Sequence, residues 1–209
     1  MRRDPPSDYP LWDEDDDLIA AVRGDEVMRM RVRRWGDVEV VIGRGGAAEV
    51  ELDLEAVAAD GVPVRRRRGG GCAVVLDPGN LVVSLVAPLE GVGGVTSAFS
   101  ACTDWLCRGL AEAGVPDVCG DGVSDLVLAD RKVGGSCIYR TQGLVYYSTT
   151  LLISPDLERI ERYLPHPPRE PEYRHGRRHV DFMGALPLAL DADAVIRLAL
   201  LLERGWTGW

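Results

Sequence analysis

From Val27 to Trp35 the chain reads VMRMRVRRW. Apolar and basic residues alternate there, the period of a half-buried strand. Gly36-Asp37 predicts a turn, and VEVVIG (38–43) the returning strand. CAVVLD and LVVSLVA predict two strands around a turn at Pro78-Gly79. The stretch 124–153 predicts three strands joined by turns near Asp130 and Gly143. Helical patterns fall between. Residues 13–23 begin with acids and turn apolar (LIAAV), the order a helix dipole favours. Residues 49–59 predict a short helix closed by Gly61 and Pro63. Residues 96–113 bring Phe99, Trp105, Leu106 and Leu110 close to one stripe. SPDLERIERYL predicts a helix opened by Ser154 with Pro155 in its first turn, and 191–203 a last helix. The expected fold is α+β, a mixed, largely antiparallel β-sheet flanked by helices.

Organisation follows from composition. Residues 1–12 are Pro-rich and expected to be a flexible N-terminal segment; 13–209 then form a single domain. Within it, 165–180 is a long polar loop rich in Pro, Arg and His, and no internal repeat occurs. The 209 residues, 46% apolar, suffice for one buried core.

Charge narrows the partners. Net charge is −9, from 33 acids and 24 bases, the opposite of a nucleic-acid wrapper. The acidic block DEDDD (13–17) reads as a solvated helix start. Bases cluster at 29–34, 65–68 and 169–178, so a local basic pocket for a small anion is expected. Five cysteines without a CxxC pair argue against a disulfide framework or zinc knuckle and for a reducing compartment. Residues 1–25 lack a signal-peptide core. No apolar run approaches the roughly 18–20 residues of a membrane span. A cytoplasmic protein without nucleic-acid or membrane partners is expected.

Two stretches carry candidate chemistry. RRRRGGGCAVVLDPGN (65–80) puts arginines against Gly69, Gly70 and Gly71. Bare glycines let the backbone approach a ligand, and their N–H groups can form an anion nest. Arginines beside them can clamp a phosphate with forked donors. Neither GxxxxGK[ST] nor GxGxxG is present. The competing reading is a Gly-rich hairpin with solvated arginines. SDLVLADRKVGGSC (124–137) sets Lys132 after a tight turn, before Gly134, Gly135 and Ser136. Such a lysine reaches an anion as a point charge, or is a surface lysine. His166, His175 and His179 all fall in the 165–180 loop, where no helical pattern supports a metal site.

Together with STTLLISPDL (148–157), these strings resemble the lipoate–protein ligase family of the biotin/lipoate ligase and transferase superfamily. Its members read RRxSGGGxVxHDxGN, NDLxxxxxKxxGSA and HGTLLxxxDL in that order. The resemblance spans roughly residues 15–165 and includes VVIGR. It implies the biotin/lipoate ligase-like catalytic fold. It also implies activation of lipoate or octanoate by ATP and magnesium to an acyl-AMP, then transfer to a lysine of a lipoyl-domain protein. Fixed donors there are worth about 3 kcal/mol each. By the same resemblance Lys132 bridges carbonyl and phosphate. Arg66 and Arg68 fall in the phosphate- and carboxylate-binding string, and Gly69, Gly70, Gly71 and Cys72 line the acyl-adenylate. Asn80 stands beside the acid, Asp125 helps hold magnesium, and Gly135 and Ser136 complete the site. Apolar residues from 81–86 would line an acyl tunnel. The 165–180 loop would cover substrate or dock an acidic lipoyl domain.

Departures stand beside the matches. Arg68 replaces Ser or Thr, Leu76 replaces His, Ser124 replaces Asn, and Ser148-Thr149 replace His-Gly. The biotin-type Gly-Arg-Gly-Arg string is absent. The short stretch after the third motif leads to no expected C-terminal accessory domain, so a small accessory subunit for adenylation is expected. Cys119, thirteen residues before Lys132, offers a rival nucleophile for an ATP-independent octanoyl or lipoyl transferase. A non-catalytic lipoyl-binding or partner subunit is the third reading.

Overall fold

The computed structural model describes residues 9–90 and 94–209. Helix α1 (Asp16–Asp25) leads to strands β1 (Arg29–Arg34) and β2 (Glu39–Ile42). Helices α2 (Ala48–Glu51) and α3 (Leu54–Ala59) precede β3 (Val64–Arg66), β4 (Val74–Leu76) and β5 (Asn80–Pro88). The long helix α4 (Val95–Glu112) is followed by β6 (Cys119–Asp121), β7 (Asp125–Leu128), β8 (Arg131–Thr141) and β9 (Leu144–Leu152). Helix α5 (Leu157–Tyr163), a 3₁₀ turn (Glu172–Arg174), α6 (His179–Phe182) and α7 (Ala192–Gly205) complete the order.

The fold is α+β. Six strands form an antiparallel sheet in the order β1-β5-β9-β8-β7-β6, and β3-β2-β4 form a smaller mixed sheet. Strand β5 is apolar except for Asn80 and Ser84 because it is buried on both faces. Leu81, Val83 and Leu85 face α4 and α7, while Val82 and Val86 face α1 and Trp12. The small sheet packs Val40 and Ile42 against Ile160 and Tyr163 of α5. Helices α4 and α7 meet at Gly109, where a Cβ would lie 2.3 Å from Leu202 Cδ2. Among the described residues no helix is long and apolar enough to cross a membrane.

Several expectations are corrected. β1 and β2 are not a hairpin: β1 pairs with β5, and β2 with β3 and β4. β4 and β5 likewise diverge into different sheets. At their junction Gly79 is required, because a Cβ there would meet the Ser154 carbonyl oxygen at 1.8 Å. The 49–59 helix breaks in two, since Asp53 caps α3 by accepting from Ala56 N at 2.9 Å. The cap of α5 is Asp156 rather than Ser154; it accepts from Arg159 N at 2.9 Å. The loop at 165–180 contains the 3₁₀ turn and the start of α6.

The N-terminal segment expected over 1–12 lies, for residues 1–8, outside the described residues. Further on it is ordered. Arg66 N donates to Pro10 O and Trp12 N to Arg66 O, each at 2.9 Å, which adds the segment to the edge of β3. The acid block is only partly solvated: Asp13, Asp16 and Asp17 are exposed, but Glu14 is half-buried and most of the block is paired. Arg31 and Arg33 project from one face of β1 toward it, while Arg29 on the same face pairs with Asp25 at the end of α1. Glu14 pairs with Arg33 and Arg65, Asp16 with Arg68, and Asp17 with Arg31. Asp15 is buried.

Candidate active site

Each arginine of the 65–68 run has a separate task. Arg65 pairs with Glu39 at 3.2 Å and Glu14 at 3.3 Å. Arg66 donates from Nη1 to the carbonyls of Gly43 (2.8 Å) and Gly46 (2.9 Å). Arg67 donates to Val41 O (2.9 Å), Gly70 O (2.8 Å) and Cys72 O (2.8 Å). Arg68 Nη2 lies 3.0 Å from Asp16 Oδ2. The loop carbonyls are thus consumed by Arg67 and by Arg44 N, which donates to Gly69 O at 2.8 Å. Among the described residues the N–H groups of Gly69, Gly70 and Gly71 have no partner. They are the donors an anion nest needs.

Lys132 is aimed by a bulge. The β7–β8 register shifts between Leu126 and Val127, so Val127 faces Lys132 while Leu126 faces Gly134. Val133 thereby enters the main core and the Lys132 side chain stands in a cleft. Its Nζ lies 2.7 Å from Asp125 Oδ1. Gly184 N donates to Lys132 O at 2.8 Å and pins the other backbone edge.

The cleft has about 840 Å³ of empty space, open mouth included. Gly69, Gly71 and Cys72 border it on one side and Lys132, Gly135 and Ser136 on the other. Trp12, Ile19, Val41, Leu76, Val82 and Tyr146 give it an apolar wall. A second, more open hollow shares Gly71, Ser124, Ser136 and Cys137 with it and carries Gly70 and Asp125.

Not every expected residue reaches the cleft. Arg66 is spent on the carbonyls of the 43–46 turn, and Arg67 borders the cleft in its place. Arg68 borders it but is neutralised by Asp16. Asn80 is fully buried and bonded to Asp77, so it braces the Pro78-Gly79 turn instead of standing beside a ligand. Of the 81–86 run only Val82 faces the cleft, since alternate side chains enter the main core. Cys119 is exposed on β6, with Sγ 3.9 Å from Val127 O, and lines neither hollow.

Cys72 and Cys137 border the cleft, and burial pushes both thiols up. Among the described residues no group of three or more His, Cys, Asp or Glu gathers as a metal site. His166 bonds Glu170 at 2.8 Å and His179 contacts Pro165 O at 3.3 Å. Asp125 offers one carboxylate, shared with Lys132 and the Tyr173 hydroxyl. Magnesium fits such a place only with phosphate and water oxygens as its remaining ligands.

Sequence reasoning passed over Asp15. It is 2% exposed, borders the cleft, and accepts from Ser84 Oγ (2.5 Å), Tyr146 Oη (2.7 Å) and Arg31 Nη1 (3.3 Å). Nothing distinguished it from its four acidic neighbours. One usable signal was overlooked: Lys132 is the single lysine among the 24 Lys and Arg residues.

Comparison with known proteins bears on the family and the fold. The chain is 30% identical over 135 residues to the lipoate-protein ligase A of Psychrobacter cryohalolentis, covering 64% of this chain and 38% of that protein. It is 32% identical over 131 residues to a putative lipoate-protein ligase A of Aeropyrum pernix, covering 62% and 48%. The chain therefore spans under half the length of these curated relatives. The fold matches a chain from the bi-partite lipoate protein ligase and E2 lipoyl domain work on Thermoplasma acidophilum (TM-score 0.73, 23% identity, covering 90% of this chain and 74% of that one). It also matches a lipoate-protein ligase A bound with ATP (TM-score 0.68, 24% identity, covering 90% and 76%). Residues 13–186 match the lipoyl protein ligase A/B catalytic domain, and the chain belongs to that family.

Proposed function

We propose that this chain activates lipoate or octanoate with ATP to an acyl-AMP and passes the acyl group to a lysine of a lipoyl-domain protein. One observation carries the reading: the bare backbone at Gly69 and Gly71 and the Lys132 side chain border one cleft that continues into an apolar wall. An apolar acyl chain suits that wall, and its carboxylate then faces the cationic end. The second hollow leaves room for the nucleotide. ATP would supply the phosphorus that the acid attacks, with pyrophosphate leaving, and Asp125 would help hold magnesium, whose charge would offset that of the phosphates.

The chain's own groups do the rest. The amides of Gly69 to Gly71 donate to oxygens that gain charge in both steps. Lys132 neutralises the same charge as a compact cation. The wall, with Trp12 and Leu76, excludes water from the activated carbonyl. The ATP-free transferase reading loses its support, because Cys119 stands outside the cleft. A small accessory subunit remains part of the proposal, and pyrophosphate release by the chain alone removes the need for it.

The test is the intact mass of a lipoyl domain incubated with this chain, ATP, magnesium and lipoate, with and without added accessory subunit. A gain of one lipoyl group that vanishes without ATP supports the ligase. A gain that persists without ATP overturns it.

A further inference from the structure

The hydroxyl of Tyr173 donates to Asp125 Oδ2 at 2.9 Å, while Asp125 Oδ1 holds Lys132 Nζ at 2.7 Å. The two contacts use different oxygens of one carboxylate, so they form a chain instead of competing. Tyr173 comes from the loop at 165–180, far along the sequence from both partners. That loop is registered to the Lys132 turn by a second route. Arg177 donates from Nη2 to Tyr173 O at 2.7 Å, and from Nη1 to Asp130 O at 3.1 Å and Asp130 Oδ2 at 3.0 Å. The Tyr173 ring packs on Phe182, centroids 5.1 Å apart. The Asp125 carboxylate can only accept, so the phenol hydroxyl is the donor of this contact.

We propose that Tyr173 is a positioning residue: from the loop it holds the Asp125 carboxylate, which keeps Lys132 aimed into the cleft beside Gly69 and Gly71. A carboxylate gripped on one side cannot turn away from the ammonium on the other. When a substrate anion takes over the lysine, Tyr173 retains Asp125 in place for its return. The value of this for turnover rests on the ligase reading above; the contact chain itself does not.

The sole lysine makes the test specific. An amine-selective acetylating reagent can modify only Lys132 and the N-terminal amine, and peptide masses separate the two. Tyr173→Phe keeps the ring on Phe182 and removes only the hydroxyl. Acetylation of Lys132 is expected to speed up roughly tenfold in Tyr173→Phe, the scale of one hydrogen bond to a charged group. In an Asp125→Asn background the same substitution is expected to add nothing, because the carboxylate it acts through is gone. Melting temperature, read alongside, is expected to fall by no more than about 2–4 °C in Tyr173→Phe, the cost of one hydrogen bond, so the fold is kept. Equal acetylation of wild type and Tyr173→Phe overturns the proposal, as does a further rise in the double variant. A wild-type chain inactive with ATP, magnesium and lipoate even with the accessory subunit added sinks the ligase reading alone and leaves the acetylation result to decide this one.

Discussion

Gly43 and Gly71 approach so closely that a Cβ at 43 would lie 2.0 Å from the Gly71 carbonyl oxygen. The obstacle is backbone, so no rotamer change relieves it. Gly43→Ala must displace the glycine loop, at a cost of about 1–3 kcal/mol or more. Gly70 is the control: a Cβ there meets nothing within 4 Å. Gly70→Ala is expected within about 0.5 kcal/mol of wild type. Urea unfolding compares the two, and equal midpoints would contradict the close approach.

Removing the Lys132 ammonium leaves the charge that develops in the cleft without its cation. Lys132→Ala is expected to lower acid-dependent pyrophosphate release by roughly 10²–10³-fold, the scale of one lost oxyanion donor. Lys132→Arg restores only part, because a planar fork does not replace a point charge. The folded state should tolerate both, as circular dichroism would show. A Lys132→Ala chain with wild-type turnover would end this role.

Asp15 is the buried hub for Ser84, Tyr146 and Arg31. Asp15→Ala strands the buried Tyr146 hydroxyl and removes the inner partner of Arg31, which keeps Asp17 and Glu14 O. The expected loss is about 1–3 kcal/mol, the range for leaving a buried donor unsatisfied. Thermal unfolding measures it; a loss no larger than that of an exposed substitution such as Asp193→Ala would refute the hub.

The cysteines set a pH dependence. Burial raises the thiol of Cys102 to about 12 and that of Cys107 to about 11, from an ordinary 9.0. Above pH 9 the unfolded chain releases protons that the folded chain retains. Stability is therefore complete below about pH 9 and falls as pH rises toward the folded values. Cys102→Ala is expected to flatten that alkaline fall in denaturation curves taken from pH 8 to 10. At pH 8, maleimide should modify exposed Cys119 first and Cys102 last, read by peptide mass.

Much of the fold was legible because its cause is local. The alternation of β1, the three strands at 124–153 and the stripe of α4 are each written in a few consecutive residues, and the structure contains them. The 27–43 hairpin failed for the opposite reason. β1 buries Met30 and Val32 by pairing with β5, some fifty residues away, and no local pattern names that partner.

By itself the sequence determined the α+β class, the glycine run and the lysine, because backbone freedom at 69–71 and a lone ammonium are properties of single residues. Tertiary structure alone decided which neighbours serve them. It spent Arg66 and Arg67 on carbonyls, sealed Asn80 in a turn, left Cys119 on the surface, and brought Tyr173 to Asp125. Side chains distant in the chain meet only when packing fixes their distances, and a hydrogen bond exists only within about 3 Å.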